Sequence, residues 1–225
     1  MIAPPKIYRF LVFYVLNPWM VAPMAAYLWS LCGKRFQRPT WLPLFATVQA
    51  FDLAQGIVFT AMAYMAINNQ TFRHLVQPLV CAGLLLTVFR MAPATRPRQF
   101  LYGTCLAIVL AAAVAGALLD GVKWRNAVFT MTMSLVFLSL AAWEMKKLLA
   151  SESHAPLTSL PEFWVLAALL VYGSGTLAFN ASSNYFLRTL PPHLLPIPWV
   201  IVGTIHAIHE VLLAKAFLCP KPASS

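Results

Sequence analysis

Apolar residues run along this chain in seven long blocks, each closed by a short polar stretch. The blocks cover residues 10–31, 42–66, 71–90, 99–119, 124–145, 162–186 and 198–218. Each is close to the roughly 20 residues that a helix needs to cross about 30 Å of hydrocarbon. The breaks read "GKRFQRPTW", "INNQTFRH", "RMAPATRPRQ", "DGVKWRN", "EMKKLLASESHAPLTSLPE" and "RTLPPHLLPIP". They are rich in Pro, Gly, Asn or charge, which punctuate helices, and none holds enough residues for a soluble domain. No internal repeat and no low-complexity segment interrupts the pattern. It predicts an all-α polytopic bundle of seven transmembrane helices forming a single domain over residues 1–225. Lys6 and Arg9 before the first block resemble a signal peptide. The apolar run continues past Asn17-Pro18 to about Leu31, however, which is too long for a cleaved hydrophobic region. We expect a retained helix, kinked at Asn17-Pro18.

Composition supports this reading. The chain is 60% hydrophobic and 10% charged, with a mean hydropathy of +0.73, whereas soluble domains carry about 25% charged residues. The net charge of +10 does not point to nucleic acid, because the basic residues fall in short loops and at helix ends and form no face interleaved with aromatics. There they set topology and meet anionic headgroups. With the N-terminus outside, the inner side carries Lys34, Arg35, Arg38, Arg90, Arg96, Arg98, Lys146, Lys147, Lys215 and Lys221. The outer side carries only Lys6, Arg9, Arg73, Lys123, Arg125 and Arg188. The bias predicts N-outside and C-cytoplasmic, in a bacterial inner membrane. Trp29, Trp41, Trp143 and Trp164 then fall near the inner interface, and Trp124 and Trp199 near the outer one. The four cysteines, Cys32, Cys81, Cys105 and Cys219, form no CxxC pair and are expected to be apolar fillers. The sequons at Asn69 and Asn180 are expected to be chance.

Ionisable groups inside the apolar blocks carry most of the functional information, since a charge at the bilayer centre costs at least about 2.5–3.5 kcal/mol. At 100° per residue, His206, Glu210 and Leu213 share one face of the seventh helix, with His209 beside it. Gly203 is one turn earlier. The second helix has its own stripe of Gln49, Asp52 and Gly56, with Gln55 to the side. Counted from the helix ends, Asp52 and the His206–Glu210 group have similar depth. If the two helices are neighbours, Asp52, His206, His209 and Glu210 form one cluster. Three readings are open. The groups pair structurally, Glu210 with His206 and Asp52 with Gln55 or a neighbouring helix. They sense or move protons. Or they bind a divalent metal, zinc or iron, through imidazole and carboxylate. A further line of polar residues, Tyr172, Ser174, Thr176, Asn180, Ser182, Ser183 and Asn184 in the sixth helix with Asn17, Asn68, Asn69, His74 and Asn126, suggests a cavity open to the outside. "YGSGT", Tyr172–Thr176, reads as a small-residue packing face.

Two seven-helix families are compared at the residues: the first comparison fails, and the chain resembles the second in kind while departing from its motif. Microbial rhodopsins need a lysine midway along the last helix, and Lys215 is too near its end. The progestin-receptor and ceramidase zinc hydrolases use H-x-x-x-H there and a second-helix histidine, whereas this chain has His206-x-x-His209 and Asp52. The stretches "NNQTFRH", "FWVLAALLVYGSGT" and "PWVIVGTIHAIHEVLLAKAFLC" resemble a group of small, uncharacterised bacterial seven-helix membrane proteins. That resemblance implies a role in signalling beside histidine kinases. Those proteins carry amides where this chain has His206, His209 and Glu210.

The leading expectation is a membrane sensor or signalling module. Asp52, Gln49, Tyr172, Asn180 and Asn184 would bind a ligand or take part in proton linkage, and Lys146-Lys147 and Arg96/Arg98 would meet a partner. The alternatives are a metal-dependent intramembrane enzyme built on His206, His209, Glu210 and Asp52, and a structural subunit of a larger membrane complex.

Overall fold

The computed structural model describes residues 17–33, 36–65, 67–151, 156–191, 194 and 196–220. Lys6, Arg9, Lys34, Arg35, Lys221 and the first part of the 10–31 block lie outside them. Among the described residues seven α-helices follow one another: α1 Ala22–Cys32, α2 Leu42–Tyr64, α3 Gln70–Arg90, α4 Arg96–Leu119, α5 Ala127–Ala150, α6 Pro161–Thr189 and α7 Pro196–Phe217. Among the described residues there is no strand, only an isolated pairing of Phe36 with Pro220. The 3-10 turn Asn17–Val21 leads into α1. Helices α2 to α7 are each long and apolar enough to cross a membrane, which makes this an integral membrane protein. Their outer surfaces agree with that. Leu118, Leu119 and Phe100 are 80%, 77% and 78% exposed, an arrangement that lipid solvates and water does not.

The ends of the helices follow local chemistry. Proline stands in the first turn of α1, α4 and α6, where its missing N–H costs nothing. Helix α4 starts earlier than its apolar block because Arg98 folds back onto the last carbonyls of α3. Helix α5 starts later, at Ala127, because Asp120 and Asn126 cap it. It runs on to Ala150 through a charged last turn in which Lys147 approaches Glu144 at 3.9 Å and lies over the Trp143 ring.

The contacts gather into two compact units, Met1–Arg38 with Phe137–Ser225, and Pro39–Val136. In the first, α7 packs on both α6 and α1. Gln37 N donates to Cys219 O at 2.9 Å beside the Phe36–Pro220 pairing. In the second, α3 packs on both α2 and α4. A Cβ on Gly83 would stand 2.7 Å from Val48 Cγ2, so the α2–α3 approach depends on that glycine.

Candidate functional site

The α6–α7 contact holds the richest set of titratable side chains in the first unit. His206 and Glu210 are four residues apart on α7, and one helical turn brings them together: His206 Nδ1 stands 3.4 Å from Glu210 Oε1. Glu210 is 3% exposed and the His206 side chain 36%, so the pair joins a buried oxygen to an accessible ring. Tyr172 of α6 faces both histidines, with ring centroids 5.4 Å from His206 and 5.0 Å from His209. The two imidazoles are 5.8 Å apart. His209 is buried, and its Nδ1 lies 3.0 Å from Ala168 O. A carbonyl only accepts, so Nδ1 carries the proton in this bond. His209 therefore ties the α7 side chain to the α6 main chain.

Close approach of the helices makes this possible. A Cβ on Gly175 would lie 2.9 Å from Ile205 Cγ2 and 3.0 Å from Ile205 Cδ1. Gly175 thus receives Ile205, and "YGSGT" is the packing face its composition suggests. From Tyr172 a polar ladder runs along α6. Thr176 Oγ1 donates to Tyr172 O at 2.6 Å, Asn180 Nδ2 donates to Thr176 Oγ1 at 3.3 Å, and Ser183 Oγ donates to Asn180 O at 3.3 Å. Thr176, Asn180 and Ser183 are all buried, and Asn184 is half-buried on the turn after Asn180.

Asp52 and Gln49 belong to the second unit. Gln49 is buried, and Gln55 Nε2 donates to Asp52 Oδ1, the partner expected for Asp52 in the structural reading. Among the described residues no three His, Cys, Asp or Glu side chains are gathered so as to hold a metal ion. Within α7, His206, His209 and Glu210 are accordingly not gathered as a metal centre. The physical reason within α7 is that Glu210 turns to His206, while His209 commits Nδ1 to α6.

A second polar knot closes the α4–α5 turn. Asn126 Oδ1 accepts from Phe129 N at 2.9 Å and its Nδ2 donates to Ala113 O at 2.9 Å. Those two backbone partners fix the amide orientation. Nδ2 also lies 3.1 Å from His74 Nδ1, which must then accept, leaving His74 Nε2 to donate to Trp124 O at 2.9 Å. Asp120 Oδ2 accepts from Ala127 N. Asn126 and His74, read in the sequence as cavity residues, are thus spent on capping and joining the turn.

Arg98 departs from its expected place in an exposed basic loop. It is buried, Nη2 donating to Val88 O at 2.7 Å and Nε to Phe89 O at 3.3 Å, with its guanidinium over the Tyr102 ring at 4.9 Å. A cation on the last carbonyls of α3 is favourable because unpaired carbonyls and the helix dipole make that end negative. Nothing local in the sequence marks this fold-back. Comparison of the chain with protein families, with curated proteins and with solved structures finds no match.

Proposed function

We propose that this chain is a seven-helix sensor or signalling module of a bacterial inner membrane, N-terminus outside, in which the α6–α7 contact is a proton-linked switch. The observation that carries the reading is the His206–Glu210 pair, accessible at the imidazole and buried at the carboxylate, on a helix contact that His209 and Gly175 hold close. Histidine changes charge between about pH 5 and 8. Charging the ring turns a polar contact into an ion pair at a place where α6 and α7 have almost no slack, so protonation bears directly on how the two helices pack.

Among the described residues, titratable groups face His206 from two helices. Helix α7 supplies His209 and Glu210, and α6 supplies Tyr172. Helix α1, also packed on α7, has no charged side chain, and its Tyr27 rests on Phe217. Output to a partner would leave through the short polar ends of the helices, where Lys146 and Lys147 are exposed.

Hydrogen–deuterium exchange of the protein in nanodiscs tests this. Protection of α6 and α7 is expected to differ between about pH 5 and pH 8 in the wild type and to lose that difference in Glu210→Gln. Equal protection at both pH values in the wild type would remove the proton-linked reading.

A further inference from the structure

Away from the α6–α7 contact, a cleft of about 310 Å³ opens between α3 and α4, lined chiefly by Leu85, Leu86, Phe89, Tyr102, Gly103 and Leu106. Its volume is at the lower end of small-molecule sites, and its walls are mostly apolar. Gly103 creates part of the space: a Cβ built there meets nothing within 4 Å. The lining runs from Ala82 to Phe89 on α3 and from Gln99 to Leu106 on α4. At 1.5 Å per residue that is roughly 10 Å along each helix, starting beside the α3–α4 turn. A cleft of that depth lies within one leaflet, since half the hydrocarbon is about 15 Å thick.

The turn end of the cleft is positive. Gln99 lines it, and Arg90 and Arg96 are exposed in the same turn. The guanidinium of Arg98 sits behind the aromatic wall, 4.9 Å from the Tyr102 ring and 5.8 Å from that of Phe89. Residues 53–119 contain no Asp or Glu. The only carboxylates of the Pro39–Val136 unit are Asp52, within α2, and Asp120, at the far end of α4. Arg98 itself is committed to the last carbonyls of α3, so the exposed cations of the turn are Arg90 and Arg96.

We infer that this cleft is a binding site for an anionic glycerophospholipid of the leaflet that the α3–α4 turn faces. One acyl chain would lie along Gly103 and the phosphate would sit at Arg90, Arg96 and Gln99. An apolar slot answers the chain, and an acid-free arginine turn answers the phosphate.

Delipidated protein in detergent, titrated with dioleoyl phosphatidylglycerol or dioleoyl phosphatidylcholine and read by native mass spectrometry, tests the site. Wild type is expected to prefer phosphatidylglycerol. At Gly103 a Cβ has open space, and Gly103→Leu adds bulk to the slot and a better helix former, so it is expected to keep the fold and to weaken phosphatidylglycerol binding at least about fivefold, against roughly fivefold per arginine for the charged mouth. Arg90→Gln with Arg96→Gln is expected to bring the two lipids to near parity. Equal wild-type affinity for both lipids would overturn the site. So would Gly103→Leu binding like wild type, or an unchanged preference in the arginine variant.

Discussion

His206 Nδ1 stands 3.4 Å from Glu210 Oε1 across one turn of α7, with the ring partly open and the carboxylate closed off. A carboxylate that is 3% exposed has little room for water around it, so its contact with the ring is not one that solvent readily replaces. The imidazole is reachable from outside the helix contact and the carboxylate is not. In the proposed reading, that asymmetry is what would let the pair report proton availability to the α6–α7 contact.

The two members of the pair are expected to respond unequally to substitution. His206→Leu leaves a buried acceptor without its partner and costs about 1–3 kcal/mol. Glu210→Gln keeps a side chain of the same shape that still accepts a hydrogen bond, and costs less. Thermal unfolding in one detergent compares them, and a larger loss in Glu210→Gln would reverse the assignment of which group needs the other.

Gly175 and Ile205 set the spacing of the helices. A methyl group at Gly175 would stand 2.9 Å from Ile205 Cγ2, closer than atoms sit at rest, and forcing extra volume into a packed contact costs about 1–3 kcal/mol. Gly175→Ala is therefore expected to destabilise the protein, and Ile205→Ala in the same chain to recover much of the loss. Additive losses in the double variant would mean that the two positions do not share space.

At the α4–α5 turn a Cβ on Gly116 would overlap the Asn126 side chain. Asn126→Ala removes the bond from Phe129 N and the one to Ala113 O, a loss of about 1–2 kcal/mol for the cap alone. Gly116→Ala displaces the same amide, so the double variant is expected to be little worse than either single one. A double-variant loss equal to the sum of the two would contradict this, as measured by the midpoints of unfolding.

Cys219, just beyond the end of α7, is 1% exposed. Burial pushes its thiol up to about 11 from an ordinary value of 9.0, against the opposing charge of Lys215. The folded chain holds this proton more tightly than the unfolded chain. The resulting stabilisation is complete below about pH 9 and is lost as pH rises from there towards 11. Maleimide labelling is expected to reach exposed Cys32 at neutral pH and to leave Cys219 until strongly alkaline pH. Equal rates at neutral pH would contradict the burial.

Much of the fold was legible because bilayer thickness dictates helix length. The blocks at 71–90 and 198–218 became Gln70–Arg90 and Pro196–Phe217, each within two residues at either end. The His206–Glu210 pairing was legible too, since four residues on a helix fix their direction. Tertiary partners were not. The packing of Tyr172 on both histidines depends on the register of α6 against α7, which periodicity does not encode. Arg98 read as one more loop cation because nothing local says that a side chain will turn back onto the preceding helix. Asn126 and His74 read as cavity polarity, although an asparagine two residues after Trp124 and just before an apolar run also fits a helix cap. The cleft at Gly103 left only a glycine and an acid-free stretch as its trace.

The central claim is that protonation at His206 and Glu210 changes the α6–α7 packing. It is tested most directly by the distance between spin labels at Ser174 and Thr204, exposed positions on α6 and α7, in nanodiscs over about pH 5 to 8. The distance distribution is expected to shift with pH in the labelled protein and to be fixed when Glu210→Gln is added. A distribution that is the same at every pH in the protein with Glu210 intact would contradict the account.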